Sequence, residues 1–328
     1  MGLWVGSYQA KGGEGLYPLR REDGRLVAGA AEPRIENASF AVWSDRHRLA
    51  YIVDEQEDGR IGAWRHDGAW HRVAEVPSGG AMPCYLALSA DHRWLACANY
   101  GDGKVAVFRL DPESGDPVEI AGRYQPTGHG PDPERQDGPH AHCVLFGADD
   151  GELFHVDLGL DRVFRHRLEE GRLVGTDIAF AAPPGSGPRH LLFHPDGYAL
   201  LVCELAARLL LLRREGNGFT CLHAVPTAPE GASQDNLGGH LAIDADGTIL
   251  VTNRGHDSLA RFRVRDDRLE MLDWQPTGGA SPRHLLPGDE ILVAHEEGGG
   301  VTSLTRGAGH ARPIADIPSA PFILEIPD

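Results

Sequence analysis

The ends of this chain complete each other, and that restricts its architecture more than any other feature. Residues 320–328 look like the first strand of a repeating unit and the start of its turn, and then the chain stops. Residues 3–8, 15–19 and 25–29 look like the second, third and fourth strands of the same unit. One strand from the C-terminus and three from the N-terminus make a whole four-stranded unit. A ring closed in this way hides the strand edges that an open array or a sandwich would expose.

The unit itself is visible inside the chain. Residues 189–197 and 239–247 each read as a short apolar strand followed by an Asp-Gly turn, Asp196-Gly197 and Asp246-Gly247. Such a turn needs positive φ, which Gly and Asp tolerate, and it suits a hairpin. A second apolar strand follows at 199–203 and 248–252, a third at 258–264 and a fourth at 269–274. First strands are expected to open at Ser39, Cys84, His142, Arg189, Gly239 and Arg283, at spacings suited to four-stranded blades. The long step between Cys84 and His142 is an insertion around residues 128–137. With 42 glycines, 23 prolines and no sustained helical periodicity, the expectation is an all-β, seven-bladed β-propeller forming a single domain over residues 1–328. The last blade would be built from residues 319–328 and roughly 2–30.

Composition limits the partners. A net charge of −17 argues against nucleic acid and against an anionic membrane surface. The N-terminus has no basic, apolar leader, and no apolar run reaches 18 residues. Five cysteines without a CxxC pair are expected to be reduced and buried, as in a cytoplasmic protein. A monomer or weak homo-oligomer is expected.

Superposing the units gives two columns of residues at one mouth of the channel. One opens the inner strands: Ser39, Cys84, His142, Arg189, Gly239, Arg283 and Pro321. The other follows the second strands: Tyr8, Glu55, Tyr100, Leu158, Glu204, Arg254 and Glu296. Framework positions repeat from blade to blade, whereas these vary and carry charge. His142 or His140 titrates near neutrality and suits acid–base work, while Arg189 and Arg254 suit carboxylate or phosphate. Each arginine also has a structural partner within reach in Glu204 or Asp257, and Arg135 on the insertion adds a further positive group. The pair His140 and His142 lacks a further ligand at a diagnostic spacing, so no metal is expected. Gly298-Gly299-Gly300 reads as a hairpin turn.

Several blocks resemble the propeller lactonases (the cycloisomerase 2 family). That group contains bacterial 6-phosphogluconolactonases and fungal 3-carboxy-cis,cis-muconate lactonising enzymes. The matching stretches are Gly6-Ser7-Tyr8, Ala98-Asn99-Tyr100, residues 130–136 running into Pro139-His140-Ala141-His142, residues 157–162, residues 183–190 and residues 253–258. The resemblance implies a seven-bladed fold, no cofactor, and a site for a small anionic lactone or carboxylic acid. It implies His142, Arg189, Glu204 and Arg254 as the catalytic set. Arg135, His140, His190, Tyr100 and Arg283 are the expected substrate contacts. On this reading His142 activates water, the arginines hold phosphate or oxyanion, and Glu204 orients an arginine or protonates the leaving oxygen. Two other readings are lactonisation of a carboxylated muconate and a non-catalytic propeller that binds a ligand or partner protein. The chain departs from the family pattern at Asn37-Ala38-Ser39-Phe40, at Tyr85 and at residues 294–297.

Overall fold

The computed structural model describes residues 2–23, 25–233, 235–305 and 309–327. Gly24 and Asp328, which fall within the expected closing blade, lie outside them. Seven four-stranded antiparallel sheets form the molecule. The inner strands, in blade order, are Ala41–Ser44, Pro83–Leu88, Ala141–Phe146, Pro188–Phe193, Leu237–Ile243, Ala280–Leu286 and Ile323–Ile326. In blade 7, Ile323–Ile326 pairs with Gly2–Val5, which pairs in turn with Tyr17–Glu22 and then Arg25–Ala28. The ring is therefore closed by the two ends of the chain. One 3₁₀ turn, Gln9–Lys11, is the helical exception among the described residues.

The second strands are apolar throughout because both of their faces meet a neighbouring blade. Leu200, Leu201 and Val202 are fully buried, and the two sides of this strand feed different clusters. An apolar cluster fills each interface between consecutive blades. The closing interface, between blades 7 and 1, packs Trp4, Phe322, Leu324 and Ile326 against Ile52, Trp64 and Trp70. Gly197 and Gly247 take φ 86° and 82° at the Asp-Gly turns. Gly298, Gly299 and Gly300 all have positive φ and join Glu290–Gly298 to Val301–Thr305 as a hairpin.

The inner strands share a local irregularity that positions the site. Pairing with the second strand slips between Pro83 and Tyr85, Ala141 and Cys143, Pro188 and His190, Gly238 and Leu241, and Pro282 and His284. The residues left without a ladder partner include Cys84, His142, Arg189, Gly239 and Arg283. A bulge of this kind turns a side chain out of the sheet alternation. Most strands also begin a residue or more before the positions expected from sequence, because the bulge adds a residue ahead of the regular ladder.

Four cysteines are buried, but Cys221 is exposed on the outer strand Gly218–Pro226, contrary to the expectation that all five are interior. Cys221 lies on the part of this outer strand that faces solvent, whereas Phe219, Leu222, Ala224 and Val225 of the same strand pack against the clusters between blades. No helix of the described residues is long and apolar enough to cross a membrane.

Candidate active site

The bulged residues meet in a small, partly open pocket on the channel. Its walls include Ser39, Cys84, His142, Arg189, Arg283 and Pro321. Gly239, the remaining member of that column, contributes its carbonyl, which accepts a hydrogen bond from Arg189 Nη1 at 3.0 Å. The second column forms the rim. Four of its seven members occupy equivalent backbone positions: the amides of Glu55, Tyr100, Leu158 and Glu204 each donate to a carbonyl just ahead of the inner strand of their blade.

Glu204 is the hub. It is 2% exposed, and its two oxygens serve three guanidiniums. Arg189 Nε lies 3.0 Å and Arg254 Nη2 2.5 Å from Oε2, while Arg135 Nη2 lies 2.6 Å from Oε1. His142 Nε2 is 3.9 Å from Oε2. Asp257, the other expected arginine partner, instead accepts from the amides of Gly255 and Ser281. Three guanidiniums against one carboxylate leave two positive charges, with Arg189 and Arg254 buried and Arg135 reaching solvent. Arg254 also keeps a buried Nε–H with no hydrogen-bond partner. A buried donor without a partner is costly, and a bound anion would satisfy it.

The local charges set the protonation states. Burial would raise the Glu204 carboxyl, but Arg254 and Arg189, with Arg135 behind them, outweigh it and hold it well below the usual carboxylate range. Glu204 is therefore ionised at neutral pH. An ionised carboxylate held between Arg189, Arg254 and Arg135 has the geometry expected of a group that orients arginines. Burial, then Arg189, pushes the His142 imidazole well below its ordinary value, so it is neutral and able to accept a proton. Burial and the neighbouring Arg254 lower Arg189 to about 10, which still leaves it charged.

The expected contact residues divide into groups. Arg135 reaches Glu204 and receives support from Tyr100, whose hydroxyl is 3.2 Å from Arg135 Nη2. The insertion that carries Arg135 is held by buried Gln136, which donates to the Leu158 carbonyl at 2.8 Å and accepts from the Asp132 amide. His140 sits on the rim, stacked on Tyr100 with its ring nitrogens engaged by the Tyr100 carbonyl and Asp137, whereas His142 faces the cavity. His190 lies beneath the arginines, 2.8 Å from Arg189 Nη1. Arg283 lines the cavity but pairs with Glu296 at 3.0 Å rather than with Glu204. Among the described residues, no three His, Cys, Asp or Glu side chains gather as a metal would need.

Apart from His190, sequence reasoning missed the layer below. The His190 and His240 rings meet edge to face with centroids 5.1 Å apart, the His240 and His284 rings are tilted with centroids 4.1 Å apart, and Phe40, Tyr85 and Phe322 continue the layer. Each follows a first-column residue directly, so reading one position further along would have found an aromatic or imidazole in six of the seven units, Cys143 being the exception. A larger surface groove lies near Glu57, Asp102 and Lys104, but it holds no buried charge, and Lys104 is already paired with Asp102 at 2.7 Å.

Comparison with known proteins places this geometry. The family model described as "Lactonase, 7-bladed beta-propeller" matches residues 2–313. An uncharacterized protein of Staphylococcus saprophyticus is 33% identical over 312 residues, 90% of this chain and 88% of the relative. The 6-phosphogluconolactonase of Bacillus subtilis is 29% identical over 314 residues, 90% of this chain and 87% of the relative. Among solved structures, the periplasmic gluconolactonase of Pseudomonas aeruginosa superposes with a TM-score of 0.84 at 27% identity, covering 99% of each chain.

Proposed function

The chain belongs to the seven-bladed β-propeller lactonase family, and we propose that it hydrolyses an anionic sugar lactone of the 6-phosphoglucono-1,5-lactone type. The observation that carries this reading is the single Glu204 carboxylate shared by three guanidiniums beside a neutral histidine. Arginines fully neutralised by carboxylates would suit a structural role. Here two charges and the Arg254 Nε–H remain free for a ligand.

The chemistry follows from the positions. A water oxygen attacks the lactone carbonyl carbon, and the His142 imidazole takes the proton that water loses. Negative charge collects on the carbonyl oxygen, where Arg189 and Arg254 are already aligned by Glu204. The bond from the carbonyl carbon to the ring oxygen then breaks. The ring oxygen leaves with the proton held on His142, and the product is an open hydroxy acid. Glu204, close to His142, stabilises the imidazolium in between. Arg135, at the outer edge, engages the phosphate.

Four of the five cysteines are buried and none is disulfide-bonded, which supports the cytoplasm as the compartment of this reaction. The ring closure of the seven blades by both ends of the chain supports one propeller domain as the working unit.

The test is a continuous assay of lactone loss above the buffer rate. The expected result is acceleration by the wild-type protein, with kcat/KM for 6-phosphogluconolactone at least about tenfold above that for the unphosphorylated lactone, the size of a charge-assisted contact. No acceleration of either lactone would refute the reading.

A further inference from the structure

The mouth of the channel has a second, oppositely charged side. Glu55 holds in blade 1 the backbone position that Glu204 holds in blade 4, three blades away around a ring of seven. The Tyr8 hydroxyl donates to Glu55 Oε2 at 2.7 Å. Among the described residues nothing donates to the other oxygen of Glu55, which is half-buried. The cations on this side are already occupied. Glu296 takes Arg283 at 3.0 Å and Lys11 at 2.9 Å, and Glu297 also contacts Lys11. Two cations against three carboxylates leave one negative charge, where the Glu204 side carries two positive ones. Arg283 joins the halves, because it lines the same cavity as His142 and Arg189.

We propose that Glu55, oriented by Tyr8, binds the hydroxyl edge of the substrate, so that the site selects polyhydroxylated lactones and rejects polycarboxylates. The inference rests on the lactonase reading and names the substrate class of that same site. In a six-membered phosphorylated aldonolactone, the carbonyl carbon C1 and the carbon C5 that carries the phosphorylated C6 flank the ring oxygen. The reacting and charged groups thus share one side of the ring, and the C2–C4 hydroxyls occupy the other. Placing the first side against Arg135, Arg189 and Arg254 turns the hydroxyls toward Glu55. A hydroxyl donates a charge-assisted bond to a carboxylate. A substrate carboxylate there would instead meet Glu55 and Glu296, a like-charge contact in a recess of low dielectric. A site built to bond hydroxyls rejects a ligand that lacks them.

The experiment compares wild type, Glu55→Gln and Tyr8→Phe. Three quantities are read: kinetics on 6-phosphogluconolactone, calorimetric Kd for 6-phosphogluconate, and calorimetric Kd for tricarballylate as a polycarboxylate probe. Glu55→Gln is expected to raise KM and the 6-phosphogluconate Kd about tenfold, with most of the change in KM rather than kcat, and to tighten tricarballylate. Tyr8→Phe, which leaves the carboxylate but not its support, is expected to raise KM about threefold. It carries the test alone if Glu55→Gln does not fold. Unchanged KM and Kd in an active lactonase would overturn this inference and leave the lactonase reading standing. Equal wild-type affinity for tricarballylate and 6-phosphogluconate would also overturn it. A wild-type protein that hydrolyses no lactone would remove both.

Discussion

Replacing His142 with glutamine is expected to lower kcat/KM for the lactone by about 10²–10⁴-fold, the range that a positioned general base supplies. Glutamine fills much of the same space and can hydrogen-bond, but it cannot take a proton from water. The fold is expected to survive, because the polar contacts of the His142 side chain are long, 3.9 Å to Glu204 and 4.0 Å to the Cys84 thiol, and its ring meets Tyr100 and His190 edge-on, where a glutamine can still pack. The pH profile gives a second readout. Burial and Arg189 lower the imidazole, so the base form persists to more acidic pH than for a free histidine. Activity on the acid side should therefore fall only below about pH 6.5, the ordinary histidine value. An acid limb at or above that value, or a His142→Gln enzyme as active as wild type, would remove His142 as the base.

Replacing Glu204 with glutamine is expected to cost about 3–5 kcal/mol of folding stability, the usual result of leaving buried charge without its partner. Three guanidiniums lose their shared carboxylate at once, and Arg189 is only 3% exposed. Adding Arg189→Met to Glu204→Gln should recover part of the loss, because it removes one of the stranded charges. The dependence on pH has a definite sign. The folded-state carboxyl is held below its unfolded value, so its stabilisation is fully present above about pH 4.3 and is lost as pH falls below that. Urea unfolding should show a constant gap between wild type and variant from pH 7 to about 5, closing only in stronger acid. A gap that closes between about pH 7 and 6 would mean that Glu204 is not the ionised hub.

The fold was readable because a propeller repeats itself. Each Asp-Gly turn and apolar second strand is a separate copy of one signal, and the split blade at the termini left a gap of matching shape. The rim was readable for a related reason, since residues such as Glu204 and Arg254 break a pattern that their counterparts establish. Pairing was not readable. By sequence Arg189 could pair with Glu204 or Asp257, and only the bulge at Arg189 turns it toward Glu204 rather than toward the Asp257 turn. Nor did spacing reveal that Arg135, on an insertion outside the repeat, returns to the same carboxylate, because that depends on Gln136 folding beneath it. His240 and His284 escaped notice because they sit one residue past the charged column, where an isolated histidine reads as ordinary packing. Cys221 was misplaced because an apolar strand at the outer edge of a blade has the same local pattern as one between blades.

The central claim is that the Glu204–arginine cluster beside His142 binds the anionic lactone and its product. A crystal structure of the wild-type protein with 6-phosphogluconate tests it most directly. The account predicts an anionic oxygen accepting from Arg254 Nε, the phosphate against Arg135, and the C1 carboxylate within about 3 Å of the His142 imidazole. Product bound away from the channel mouth, with Arg254 Nε still unpaired, would contradict it.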